Sequence, residues 1–331
     1  LTGSRQASVE VQVTLSENRE GLLWVAEIRS GRTREVAMIT VAPPEANAPQ
    51  PATEPVSIRK VRVFGRAEPI LDLVPLDSLP SGAASKVMVL DPDAVALYEN
   101  QKDGSAWQLV PSTLLPQFRP HPHDARGRLI VGRDNALEVY VPGMKCVGTF
   151  EPAVRLDCQE SADPWPLNYG GLPEAAAAFA AGRNFFEGGI QFQDGHTTKT
   201  PPFFSAAFLP LKGGAQWLLA GLDGQAHLID ANGGALANFS DWGSNVVSLQ
   251  TGCQDGWQVL ASQAGDFGEP DSVQAYNIAK RKAEAASAPV EFPGPVTELW
   301  PLADGSGAIA ISHNLKKSQY EAFRLSISCS Q

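Results

Sequence analysis

The chain has 331 residues and a net charge of −10, with 43% hydrophobic and 19% charged residues. That acidic balance argues against a nucleic-acid partner, which needs a basic face. No apolar run reaches the ~18–20 residues of a membrane span. Gly 30 and Pro 26 suit a protein with many tight turns.

Residues 1–6 read as a polar leader, and a chain beginning at Leu1 reads as a processed mature protein. Val9, Val11, Val13 and Leu15 alternate along one face of a predicted strand. Leu22–Ile28 and Val36–Val41 extend it into a meander that turns near Ser30-Gly31-Arg32. Residues 42–55 are rich in Pro and Ala, so a central strand is excluded and an exposed loop is expected. A second unit takes in Val61–Phe64, Ile70–Pro75, Lys86–Leu90, Ala94–Tyr98 and Trp107–Val110, with turns at Asp91-Pro92-Asp93 and Lys102-Asp103-Gly104. A third runs through Arg128–Val131, Leu137–Val141 and Cys146–Phe150. Residues 159–200 are irregular. Ala175–Ala181 is predicted helical from alanine propensity, and Phe185–Phe192 reads as short strands broken at Gly188-Gly189.

Three stretches then repeat one plan: Phe204 to Phe239, Val246 to Phe292 and Val296 to Ile327. Each alternates short apolar strands with Gly or Asp turns. A period of ~40–50 residues marks a stacked or radial repeat, and four-stranded propeller blades fit it best. The fold class read from this is all-β: a single β-propeller domain over 1–331, with seven four-stranded blades or, as the alternative, six. The last repeat holds three strands, which leaves the N-terminal strand Val9–Leu15 to complete it and close the ring.

The four cysteines are even in number and lack both C-x-x-C spacing and histidine partners at metal spacing. Two disulfides are predicted, Cys146–Cys158 as a local staple and Cys253–Cys329 across the last two repeats. Oxidised pairs imply a periplasmic or secreted protein. Four free buried thiols in a cytosolic protein are the alternative.

Gly221-Leu222-Asp223-Gly224-Gln225-Ala226-His227-Leu228-Ile229-Asp230, followed by Ala-Asn-Gly, resembles one repeat of the secreted bacterial propellers with FG-GAP/VCBS-like or PQQ-like repeats. The resemblance covers the last third of the chain and implies a propeller. The Asp-rich calcium loop and the tryptophan docking motifs of those groups are missing, so neither calcium nor a quinone is carried over, and no cofactor is expected.

Several clusters offer chemistry beside a plainer reading. His121, His123 and Asp124 could ligate a metal, or Asp124 could pair with Arg126 or Arg128 in a turn. Asp266 and Asp271 in a Gly-rich loop could bind calcium, or form Asx-turns. Trp165, Tyr169, Phe185, Phe186 and Trp242 form a candidate aromatic binding patch. For Trp242, as for Trp24, Trp107, Trp217, Trp257 and Trp300, the plainer reading is core between blades. No Gly-x-Ser-x-Gly elbow, phosphate-cradling loop or dinucleotide fingerprint occurs. The function read from this is a non-enzymatic, exported binding or scaffold protein, such as a subunit of an extracytoplasmic assembly. It would recognise a protein partner or a glycan through loops 42–55 and 159–200. The alternative is a carbohydrate-active hydrolase or lyase with carboxylates at the propeller channel. The sequence specifies no oligomeric state.

Overall fold

The computed structural model describes residues 9–18, 21–30, 33–41, 56–77, 79, 82–100, 106–120, 124–167, 175–211, 214–253, 256–263, 265 and 269–329. Two compact units divide the chain, residues 1–53 and 54–331.

The first unit is a three-stranded antiparallel meander of Val9–Asn18, Gly21–Ser30 and Thr33–Val41. Asn18 faces Gly21 and Ser30 faces Thr33. Such short connections cost little closure entropy, so each strand pairs with its neighbour in sequence. Val9–Asn18 is therefore committed to Gly21–Ser30. This corrects the expectation that Val9–Leu15 closes the ring.

The second unit is a β-propeller. Five four-stranded antiparallel sheets and one of five strands occur among its described residues. The first blade holds Asp72–Pro75, Lys86–Leu90, Ala94–Asn100 and Trp107–Leu114. The second holds Arg128–Val131, Ala136–Val141, Met144–Thr149 and Arg155–Glu160. Very short strands make the third: Trp165–Pro166, Ala175–Ala177, Ile190–Phe192 and Thr197–Thr198. The fourth runs from Phe203 to Phe239 and the fifth from Trp242 to Ala285, with Val290–Glu291 added beside Ser272–Ala279. The sixth holds Val296–Pro301, Ala308–Asn314 and Gln319–Cys329, and its outer strand is Val56–Arg66.

Val56–Arg66 thus closes the ring, ten pairs long from Tyr320↔Arg66 to Cys329↔Val56. Val61–Phe64, expected at the head of the second unit, belongs to this closing strand. The strand fits because it has two apolar anchors. Val56 sits in the core between the fifth and sixth blades, and Val63 and Phe64 in the core between the sixth and the first. The other clusters also bridge neighbouring blades. A blade alone cannot bury both of its faces, so burial of apolar area couples each to the next.

Ala175–Ala181 is not helical; Ala175–Ala177 is a strand. Ala175 and Ala177 are buried in the cluster of Trp165, Phe186 and Phe203. Small side chains are what a strand between large rings can accommodate, and tertiary packing outweighs helix propensity here.

Candidate functional site

The first strands of the first and second blades, of the fourth and fifth, and of the fifth and sixth lie side by side. Their early residues bring a polar network to the middle of the ring. Arg126 and Glu298, 172 positions apart, form a buried bidentate ion pair. Arg126 Nε donates to Glu298 Oε1 and Nη2 to Oε2, both at 2.6 Å. Arg126 Nη1 donates to the Phe204 carbonyl. Arg126 Nη2 also reaches Asn245 Oδ1 at 3.5 Å. Asn245 Nδ2 donates to the Val296 carbonyl at 3.1 Å. The Ser205 hydroxyl donates to the Ser244 carbonyl and accepts from the Val246 N–H, both at 2.8 Å. Three blades are thereby joined to the residue that precedes the second.

A second ion pair lies alongside. Asp72 Oδ2 meets Arg128 Nη1 at 3.4 Å and accepts the Leu129 N–H at 2.7 Å, while Oδ1 accepts the Leu73 N–H at 2.7 Å. The Trp300 ring packs against the Arg128 guanidinium at 4.2 Å and against that of Arg126 at 5.7 Å. Gly127 lies between the two arginines. A Cβ there would sit 2.6 Å from Leu90 Cδ2 and 2.9 Å from Leu71 Cβ, so glycine permits the close approach to the first blade.

Burial raises the pKa of both carboxyls. Asp72 is pushed up to about 6 by desolvation, against the opposing charge of Arg128 and the two backbone N–H donors. Glu298 is raised by desolvation, opposed by Arg126, Arg128 and Trp300. Each carboxyl is opposed by a guanidinium group from a neighbouring part of the ring, and removing one member of such a pair would leave the other buried and unpaired.

Above this network opens a cavity of about 270 Å³, walled by Ile70, Leu71 and Tyr320 and carrying Asp124, Asn184 and Glu298. Most of its residues come from the starts of inner strands and the turns before them, with Asn184 from a turn of the third blade and Tyr320 from the third strand of the sixth. A second cavity of about 370 Å³ includes Phe208, Gln250 and Pro301, from the far ends of such strands. Its acid Asp304 is satisfied by the N–H and hydroxyl of Ser306. A groove of about 560 Å³ runs between the fourth and fifth blades beside Lys280 and Arg281.

The expected site residues are dispersed. Trp165 is 3% exposed and stacks on Phe179 with ring centres 4.1 Å apart. Phe186 and Trp242 are buried, and Phe185 is half-buried. They do not form an exposed aromatic patch, because Trp165, Phe186 and Trp242 fill gaps between blades, Trp242 against Phe239 and Tyr276. Tyr169, His121, His123 and Asp266 lie outside the described residues, as does loop 42–55. Asp271 accepts the Val296 N–H at 2.8 Å, a structural role. The expected pairing of Asp124 with Arg126 or Arg128 is replaced, since those arginines are held by Glu298 and Asp72. Among the described residues no group of three or more His, Cys, Asp or Glu is placed to hold a metal ion. Both disulfides form, Cys146–Cys158 between directly paired strands and Cys253–Cys329 between the fifth and sixth blades.

The inner network was missed at the sequence level because its members are far apart in the chain. One local signal existed: Glu298 interrupts the apolar run of Val296–Pro301, where an acid demands a partner.

No family model matches the chain, and no curated protein sequence does. Among solved structures it is similar to a chain of the mitotic checkpoint complex, at 12% identity and a TM-score of 0.43 over 94% of this chain and 88% of that one. It is also similar to Hsv2 of Kluyvelomyces marxianus, at 10% identity and a TM-score of 0.37 over 97% and 98%.

Proposed function

We propose that this is an exported binding or scaffold protein that recognises its partner around the mouth of the propeller channel. The observation that carries this reading is the state of the channel's acids. Both oxygens of Glu298 are held by Arg126, and both oxygens of Asp72 accept backbone N–H groups. Acids engaged in this way stiffen a platform, and the cavity above them is left for recognition. Residues 159–200, one of the surfaces proposed for recognition, contribute Asn184 to that cavity. Two disulfides support an oxidising compartment, and among the described residues no helix is long and apolar enough to cross a membrane.

The carbohydrate-active alternative draws on the raised pKa values of Asp72 and Glu298. A general acid must offer its proton to a substrate, and the bidentate clamp on Glu298 opposes that. The test is capture of partners from the extracytoplasmic fraction on the tagged chain, with a glycan-hydrolysis screen in parallel. A stoichiometric protein or glycan partner supports the binding role. Hydrolysis that is lost in Glu298→Gln overturns it.

A further inference from the structure

We propose that the channel-mouth cavity takes a positively charged group on an apolar stem: the ammonium or guanidinium of a basic side chain of the partner. This deepens the binding role above and rests on it. Two observations point the same way. First, the charges around the cavity do not balance. Asp124, Glu298 and Arg126 line it, and Arg126 is spent on Glu298, the Phe204 carbonyl and Asn245. Asp124 is exposed and has no ion-pair partner among the described residues. One uncompensated negative charge therefore faces a concave space in a chain of net charge −10, and it attracts a counter-ion.

Second, the remaining wall suits the stem and the charge. Ile70 and Leu71 are apolar, and Tyr320, stacked on His313 with centroids 4.2 Å apart, offers an aromatic ring. An anion would meet Asp124 and Glu298 with no free cation in the lining. A neutral apolar group would leave Asp124 unmatched.

The test is a titration of the folded chain with n-butylammonium and n-butylguanidinium, read by backbone amide shifts in NMR spectra, with n-butanol and butyrate as controls. The cations are expected to bind saturably and to shift the amides of Ala125, Ser244 and Thr297. Asp124→Asn should weaken them about fivefold or more. Asp124→Lys, which supplies its own cation, should abolish the response. Asp124 is exposed, so its variants are expected to melt with the wild type, which separates lost binding from lost folding. The proposal is overturned by equal binding of butanol, by preferential binding of butyrate, or by an unchanged affinity in Asp124→Asn. If a partner is captured and Asp124→Asn retains it fully, the ligand class is wrong and the binding role stands. If no partner is captured at all, the binding role itself fails.

Discussion

Arg126 and Glu298 are 4% and 2% exposed, so each makes the other tolerable. Removing one side of a buried pair strands the other charge, at about 3–5 kcal/mol. Glu298→Leu is therefore expected to lower Tm by roughly 10 °C. The double variant Arg126→Met with Glu298→Leu should recover much of that loss, because no orphan charge remains. Calorimetry on both variants checks this. Asp72 adds a pH dependence whose sign follows from its shift. Its folded pKa is raised from 3.8 to about 6, so the folded state holds the proton more tightly than the unfolded chain. The stability this contributes is present below about pH 4 and is lost as pH rises through about 6. The loss is about 3 kcal/mol at most. Urea midpoints for wild type and Asp72→Asn should diverge across that window, with the wild type losing stability relative to the variant as pH rises. Parallel curves would contradict the shift.

At the scale of elements, the closing strand decides what can be cut away. Tyr320–Cys329 pairs with Val56–Arg66. Deleting residues 1–15 removes no partner from that pairing, and amide exchange along Gln319–Cys329 should stay slow. A chain beginning after Phe64 should show fast exchange there and fail to fold cooperatively. These strands also show what sequence could and could not give. Alternation and turns place the fourth, fifth and sixth blades close to the observed limits, since those strands are long and each pairs with its neighbour in the chain. Closure is a pairing over more than 250 positions, and the regular alternation of Val9–Leu15 drew the expectation away from Val56–Arg66. Register and apolar anchors separate them: Val9–Asn18 has a partner three positions away, while Val56, Val63 and Phe64 fit between blades. In the third blade, strands of two or three residues leave too little period to read, and alanine propensity pointed to a helix where packing demands small side chains. The site was less legible than the fold. Glu298 stands out as an acid in an apolar strand, but nothing local to it names Arg126.

The ring as a whole is fastened where it closes. Cys253, beside the hairpin of the fifth blade, is bonded to Cys329, which pairs with Val56 in the seam. A crosslink spanning 76 positions removes unfolded-chain entropy worth about 4–5 kcal/mol, against about 3 kcal/mol for the 12-position Cys146–Cys158 staple. Cys253→Ala with Cys329→Ala should therefore destabilise more than Cys146→Ala with Cys158→Ala, as measured by urea unfolding without reductant. Thiol titration of the denatured, unreduced chain should find no free cysteine.

The most direct test of the central claim, a rigid propeller that binds through its channel mouth, is hydrogen exchange on the partner-bound chain against the free chain. The account predicts added protection at Ile70–Leu71, Asp124–Arg128, Asn184 and Thr297–Glu298, with the rest of the ring unchanged. Protection confined to the outer strands of the blades, with the mouth exchanging as in the free chain, would contradict it.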